Sequence, residues 1–214
     1  MTQKFNALIW IAIAVAAFAG GLWLQQSSMI TPSGNASAPV SDAHHEVITW
    51  LPPGRQISAV PAKNQLNMSV MFPTDNQLWK IVFFGFTHCP DICPTTLYQL
   101  DQLHQSLSLP LQQQLQIVFV TVDPPRDTVD RMKTYLQSFD NKIIGMRAET
   151  NALENISRQL GVAYHRVDLD ETNYSMDHSA SLYLLNPAGQ WAGIATAPHD
   201  WHALRAAMED KLDD

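Results

Sequence analysis

The stretch FFGFTHCPDICPTTL, residues 83–97, contains both cysteines of the 214-residue chain, Cys89 and Cys93. The nearly continuous apolar run at 78–87 is rich in strand-forming residues, which predicts a strand buried on both faces. Leucines recur at helical spacing after the second cysteine and predict a helix over 94–108. The cysteines therefore fall at a strand-to-helix junction, where α/β proteins carry their functional sites.

The helix predicted at 94–108 begins with Pro94, because proline is favoured at the first helical position. Cys93 is then the N-cap, and residues 88–92 form a loop. A cysteine at a helix N-terminus lies near the positive end of the helix dipole, which favours its thiolate. We expect the loop to present both sulfurs toward one point at the carboxyl edge of the sheet.

The later part of the chain continues with alternating helical and extended patterns. The predicted order is strand, helix, strand, helix, helix, strand, strand, helix, which joins a β–α–β unit to a β-hairpin with a closing helix. A cysteine pair inside a β–α–β unit is typical of a thioredoxin-like fold. We therefore expect an α/β thioredoxin-like sandwich. Its further elements are strands at 115–123, 162–167 and 181–186, the last followed by a turn at 186–190 into the extended segment 191–195, and helices at 127–139, 151–161 and 201–212.

The N-terminal part predicts a membrane anchor. Residues 7–24 read ALIWIAIAVAAFAGGLWL, a helix of about 27 Å, close to the ~30 Å hydrocarbon core of a bilayer. Lys4 precedes this run without any acid, so residues 1–6 should stay cytoplasmic. Residues 25–46 are small and polar and predict a flexible tether. The domain at 47–214 would then lie on the periplasmic side of the inner membrane, in a single-pass protein; a cleaved signal peptide is the alternative.

The charge of the chain excludes one class of partner. The formal net charge is −7 at pH 7, and a nucleic-acid-binding surface requires an excess of basic residues. The same acidity disfavours binding to anionic lipids, which leaves the N-terminal helix as the predicted membrane attachment. We expect no nucleic-acid partner.

Three chemical roles compete for the cysteine pair. A static disulfide would close a loop of only a few residues, which gains little chain entropy. A redox dithiol is the second role, although three residues separate Cys89 from Cys93 where the usual thioredoxin motif has two. The third is a soft-metal site, because paired thiolates select copper(I) or zinc. Such a site needs a further ligand.

The histidines and methionines supply candidates for that ligand. His178 lies beside Asp177, directly before a predicted buried strand, where a histidine is more often structural than a ligand. His104 falls on the polar face of the first helix and is predicted to be solvated. Methionine side chains more often pack than bind metal. The other candidates are His44 and His45 in the tether, His88, His165, His199, His202, Met68, Met71 and Met176.

Three segments together resemble the Sco/SenC family of copper chaperones for cytochrome c oxidase assembly. They are the motif at 83–97, VTVDPPRDT at 120–128 and MDHSASLYLLNPAGQ at 176–190. The resemblance covers roughly residues 78–212, and its Cys-Pro-Asp-Ile-Cys-Pro core is highly specific. Upstream, residues 47–77 carry neither the Gly-Gly-x-Phe stretch nor the Asp-x-x-Gly turn that is usual in the family.

The resemblance implies a copper site made by Cys89, Cys93 and His178. Two thiolates and one imidazole suit copper(I), or copper(II) with three or four ligands. Asp177 is a candidate to orient the His178 ring. Asp123 ends the second buried strand at the same edge of the sheet, where it either supports the site or caps the following turn. Arg126 and Asp127 are expected to form a structural ion pair or a helix start.

The resemblance also implies a function. We expect a membrane-anchored copper chaperone that receives copper from an upstream donor and delivers it to a copper-accepting subunit of cytochrome c oxidase. The alternative is a thiol–disulfide oxidoreductase that keeps the cysteines of the acceptor reduced. Both need Cys89 and Cys93, whereas only the chaperone needs His178. A thiol peroxidase is disfavoured, because the chain has no Thr-x-x-Cys arrangement of the peroxiredoxin kind.

Overall fold

The computed structural model describes residues 47–73, 77–139 and 142–213. The predicted cytoplasmic N-terminus, membrane anchor and tether, residues 1–46, lie outside these ranges. Among the helices of the described ranges, none combines the length and the apolar character needed to cross a membrane.

The described part of the chain forms ten strands and five helices. Its strands are β1 (Thr49–Trp50), β2 (Val60–Asn64), β3 (Ser69–Phe72), β4 (Trp79–Gly85), β5 (Leu115–Thr121), β6 (Ile143–Arg147), β7 (Tyr164–Asp168), β8 (Tyr174–His178), β9 (Leu182–Leu185) and β10 (Trp191–Ala195). Its helices are α1 (Ile92–Ser106), α2 (Leu109–Gln112), α3 (Val129–Leu136), α4 (Thr150–Leu160) and α5 (Trp201–Asp213).

An eight-stranded mixed sheet forms the centre of the fold, in the order β1-β10-β9-β4-β5-β6-β2-β3. Strands β4, β5 and β6 are parallel, and β9 joins β4 antiparallel. The pairing of β4 with β5 runs from Trp79 opposite Leu115 to Gly85 opposite Thr121. Almost every residue of these two strands is buried, as expected for parallel strands covered on both faces. Strands β7 and β8 form a separate two-stranded sheet.

Several strands were not predicted from the sequence. They are β1, β2, β3, β6 and β8. Strands β2 and β3 form a hairpin with Val60 opposite Phe72, in the region where the family's upstream pattern is missing. In β6, Gly145 weakens the strand signal, because glycine is unfavourable in a strand interior. Its place is explained by helix α3, since a Cβ there would lie 2.5 Å from Leu136 Cδ1.

Helix α1 begins earlier than predicted. Its first residue is Ile92 and its N-cap is Asp91, so the prediction of Cys93 as N-cap was wrong. Pro94 is the third helical residue, and it is tolerated there because the first four N–H groups of a helix have no acceptor within the helix. Cys93 consequently lies inside the first turn and is fully buried.

The prediction of a solvated His104 was also wrong. Its side chain is buried, and Nε2 lies 3.1 Å from the carbonyl oxygen of Gln112 and 3.2 Å from that of Leu115. Because carbonyl oxygens only accept hydrogen bonds, Nε2 carries the proton. Nδ1 is buried without a partner among the described residues. Burial lowers the pKa of His104, and the neutral ring ties helix α1 to the start of β5.

Candidate metal centre

The cysteine loop connects the carboxyl end of β4 to the first turn of α1. The backbone N–H of Cys89 donates to the carbonyl oxygen of Phe86 over 3.2 Å, and the N–H of Cys93 donates to Cys89 Sγ over 3.4 Å. Cys93 is buried, whereas Cys89 is partly exposed. Gly85 admits this packing, because a Cβ there would lie 3.0 Å from Cys93 Sγ. One sulfur therefore faces solvent and the other faces the core.

The two cysteines share one proton. A hydrogen bond donated by the Cys93 thiol is the main cause that lowers the pKa of Cys89, to about 3, and contacts with His178 and the Cys93 N–H lower it further. The same hydrogen bond, together with burial, raises the pKa of the Cys93 thiol. Cys89 is therefore the thiolate and Cys93 the protonated partner. This differs from the expectation that the helix dipole favours the thiolate on Cys93.

His178 meets the cysteine pair from strand β8. Its Nε2 lies 3.5 Å from Cys93 Sγ, and its Nδ1 lies 3.1 Å from the carbonyl oxygen of Ser179. Since that carbonyl only accepts, Nδ1 donates to it, and Nε2 is the nitrogen that faces the sulfurs. The rings of Phe83 and Phe86 pack against the imidazole at centroid distances of 6.0 and 5.9 Å. The backbone thus holds Nδ1, and Nε2 is the nitrogen placed to bind a metal.

Asp127 supports the cysteine loop through hydrogen bonds to its carboxylate. Its buried carboxylate accepts hydrogen bonds from the Thr87 backbone N–H at 2.9 Å, from Thr87 Oγ1 at 2.6 Å and from Thr121 Oγ1 at 2.6 Å. His88 Nδ1 lies 3.3 Å from the same carboxylate. Of the two predicted roles of Asp127, the ion pair with Arg126 is not formed, because Arg126 pairs with Asp123; the helix start agrees with its place directly before the N-cap Thr128. The sequence carries no signal for the support of the cysteine loop, because Thr87 lies 40 residues from Asp127 in the chain.

Asp123 connects the end of β5 to the hairpin β7–β8. It is almost fully buried, accepts a hydrogen bond from the Tyr174 hydroxyl at 2.9 Å and forms an ion pair with Arg126. Tyr174 begins the strand that ends with His178. Asp123 was predicted either to support the site or to cap a turn. Its contact with the strand that carries the imidazole agrees with support of the site.

Asp177 does not orient the imidazole. Adjacent residues of a strand point to opposite faces, so Asp177 points away from the side on which His178 meets the cysteines. Its carboxylate is exposed and lies 3.7 Å from His165 Nε2. The ring nitrogen that Asp177 was expected to hold is occupied by the Ser179 carbonyl oxygen. The prediction that Asp177 orients the His178 ring was wrong.

The other candidate ligands lie elsewhere. His199 Nε2 is 2.9 Å from the carbonyl oxygen of Ala180, and Met176 packs against the core. Met68 and Met71 are exposed in the hairpin β2–β3, at the far edge of the sheet from β9. His44 and His45 lie outside the described residues. In the described ranges, no group of three or more His, Cys, Asp or Glu side chains is already arranged as a metal site.

Fold and centre together define a class of protein. A mixed sheet that carries a Cys-x-x-x-Cys loop after its central parallel strand, with an imidazole supplied by a separate hairpin, is a thioredoxin-like fold with a thiol–imidazole centre. A family model for SCO1/SenC proteins matches residues 76–213. Because this match covers more than half of the chain, the protein belongs to the SCO1/SenC family.

Individual relatives agree with this assignment. A putative copper-binding protein of Stutzerimonas stutzeri is 36% identical over 166 residues, which are 78% of this chain and 81% of the relative. The mouse protein SCO2 homolog, mitochondrial, is 44% identical over 116 residues, 52% of this chain but only 44% of that protein. This chain therefore matches less than half of the length of the mouse relative.

Solved structures confirm the thioredoxin-like α/β fold. The crystal structure of Arabidopsis thaliana ScoI with copper bound superposes with a TM-score of 0.66 at 27% identity, covering 73% of this chain and 97% of that one. The crystal structure of yeast Sco1 with copper bound gives a TM-score of 0.67 at 25% identity, covering 75% and 90%. Both of these structural relatives bind copper.

Proposed function

We propose that this protein is a copper metallochaperone that holds one copper ion through Cys89, Cys93 and His178. The observation that carries the proposal is the approach of His178 Nε2 to within 3.5 Å of Cys93 Sγ across 85 residues of sequence. The Ser179 carbonyl oxygen holds the other ring nitrogen, Nδ1, so Nε2 is the nitrogen that faces the sulfurs. Copper in the related plant and yeast structures supports the same cargo here.

The chemistry of the three side chains suits copper that is taken up and passed on. Thiolates are soft ligands that select copper(I), and an imidazole extends the set to copper(II). Copper displaces the proton that the two cysteines share, so binding releases a proton and weakens as the pH falls. Cys89 is partly exposed, and it therefore offers a side from which a ligand of the acceptor can enter before the donor's ligands leave.

We propose a copper-accepting subunit of cytochrome c oxidase as the recipient and an unidentified upstream protein as the copper donor. The family that the motif resembles acts in the assembly of that oxidase, which supports the choice of acceptor. The apolar run at 7–24 supports a single anchor in the inner membrane, with the domain on the periplasmic side. Both assignments are proposals that rest on the sequence and on family membership.

The copper site is tested with His178→Ala in the full-length, reduced protein. His165→Ala is the matched control, because His165 is an exposed histidine of the same hairpin. We expect one copper per chain in the wild type and in the control, with thiolate-to-copper(II) charge-transfer absorption. The His178 variant should lose that absorption and bind copper(II) at least ~10-fold more weakly, the equivalent of ~1.4 kcal/mol. Equal copper(II) affinity in all three proteins would remove His178 from the ligand set.

A second candidate function is thiol–disulfide exchange, and the lowered pKa of Cys89 favours it. The Cys89 thiolate would attack a substrate disulfide and form a mixed disulfide. Cys93 would then displace the second substrate thiol, which leaves the substrate reduced and the pair oxidised. His178→Ala separates the functions, because a reductase should keep its rate of reduction of a disulfide peptide in this variant. A chaperone should instead bind copper(II) more weakly in this variant.

A further inference from the structure

The placement of His178 depends on tertiary contacts. Its hairpin β7–β8 is not hydrogen-bonded into the eight-stranded sheet, so strand pairing does not fix its distance from the cysteine loop. We infer that Asp123, Arg126 and Tyr174 are positioning residues that hold this hairpin in place and thereby keep the His178 imidazole beside the two sulfurs. We call these three residues the hairpin latch. The inference rests on the proposed copper site.

Asp123 is the buried centre of the latch. Its two carboxylate oxygens are used separately: Oδ1 accepts from the Tyr174 hydroxyl at 2.9 Å, and Oδ2 accepts from Arg126 Nε. Its own N–H donates to Thr121 Oγ1 at 3.0 Å, which fixes the carboxylate relative to the end of β5. A buried carboxylate with several hydrogen-bond donors is a rigid attachment point, because each lost donor would leave a desolvated charge.

Arg126 binds the hairpin in two further ways. Its Nη1 donates to the backbone carbonyl oxygen of Tyr174 at 2.7 Å, and its guanidinium lies 3.5 Å from the centroid of the Tyr174 ring. The same guanidinium lies 5.9 Å from the centroid of the Phe86 ring. Phe86 in turn packs edge-on against His178. Arg126 therefore contacts both the strand that carries the imidazole and the aromatic ring that supports it.

Tyr174 and His178 are the two ends of strand β8, so the position of one constrains the position of the other. The two residues are four positions apart in β8, so their side chains share one face of the strand. Strand β8 pairs with β7 along its whole length, from Tyr164 opposite His178 to Asp168 opposite Tyr174. Outside the latch, the hairpin has apolar contacts with the core through Tyr164 and Met176, and its His178 ring packs against Phe83 and Phe86. Such contacts are non-directional and do not set the position of the ring by themselves.

The two oxidation states of copper should respond differently to loss of the latch. Two thiolates can hold copper(I), whereas copper(II) prefers additional nitrogen ligands in a tetragonal arrangement. A displaced His178 therefore weakens copper(II) binding more than copper(I) binding. A change in overall stability alone would lower both affinities together. A larger loss of copper(II) affinity than of copper(I) affinity therefore indicates a positioning role, and equal losses indicate a merely structural role.

The test compares full-length wild type with Tyr174→Phe, which keeps the aromatic stack and removes only the hydroxyl. Tyr98→Phe is the matched control, because Tyr98 is exposed on α1. We expect the dissociation constant for copper(II) to rise about tenfold in Tyr174→Phe, with a shifted charge-transfer band, as estimated for one charge-assisted hydrogen bond. The copper(I) constant should change less than about threefold on the same reasoning. Equal changes for both ions, or no change for either, would overturn the inference.

A second variant tests the hairpin latch independently. A measurement on the copper-free protein separates the latch from the proposed copper site. Asp123→Asn preserves the shape of the side chain and should give the same ranking of the two ions, with its folding checked by urea denaturation. In the copper-free protein, nuclear Overhauser contacts between the His178 and Phe86 rings should be present in wild type and reduced in Tyr174→Phe. If the wild type binds no copper, the proposed function fails. The contacts between the His178 and Phe86 rings still test the latch in that case. Unchanged contacts in the variant would refute the latch itself.

Discussion

Gly85→Ala tests the close packing of the cysteine loop against β4. A Cβ at this position would lie 2.9 Å from Phe119 Cε2, 3.0 Å from Cys93 Sγ and 3.1 Å from Phe83 Cε1. Ordinary contacts of this kind begin at 3.4 Å, so three neighbours would each have to move by several tenths of an ångström. Two of them are rings in the sheet core, and the third is a proposed copper ligand.

The expected cost follows from the rigidity of these neighbours. Overpacking a well-packed core destabilises a protein by about 1–3 kcal/mol, and all three neighbours are fully buried. We therefore expect Gly85→Ala to unfold at a lower urea concentration, by about 2 kcal/mol of unfolding free energy. Displacement of Cys93 Sγ should also weaken copper(I) binding about tenfold in a competition assay with a chromophoric chelator.

Gly145→Ala is the matched control, because a Cβ there meets Leu136 and Gln65 rather than a cysteine. It should lose a similar amount of stability without a change in copper(I) affinity. The packing argument is refuted if Gly85→Ala unfolds at the wild-type urea concentration. It is equally refuted if both glycine variants bind copper alike.

Two further perturbations address groups outside the three proposed ligands. Because burial lowers the pKa of His104, the unfolded chain binds more protons than the folded chain below the ordinary pKa of about 6.5, and stability falls as the pH drops through that value. Urea midpoints at pH 7.5 and 5 should show this loss in wild type and a smaller loss in His104→Gln; parallel changes would contradict it. Asp127→Ala leaves the Thr87 N–H and two hydroxyls without their acceptor, so thermal unfolding should reveal a loss of about 3 kcal/mol, with the exposed Asp130→Ala as control. A loss no larger than that of the control would show that Asp127 does not support the cysteine loop.

Local patterns predicted the central fold. The apolar run at 78–87 and the leucine spacing after it identified β4 and α1, because a strand buried on both faces and an amphipathic helix each leave a periodic signal. The missed strands are short or interrupted: β2 contains Pro61, and β6 contains Gly145. The hairpin β2–β3 joins the sheet through the pairing of Lys63 with Arg147 and of Asn64 with Met146. Such distant partners leave no trace in a local window.

The sequence by itself determined the chemistry available at the centre, since Cys89, Cys93 and the Asp-His-Ser segment were recognisable as motifs. Tertiary structure alone decided how that chemistry is distributed. It assigned the thiolate to Cys89, because the buried Cys93 thiol donates a hydrogen bond to it. It also replaced Asp177 by the Ser179 carbonyl as the partner of the imidazole. Proton positions and ring orientations depend on burial and on neighbours from distant segments, and these exist only after the chain has folded.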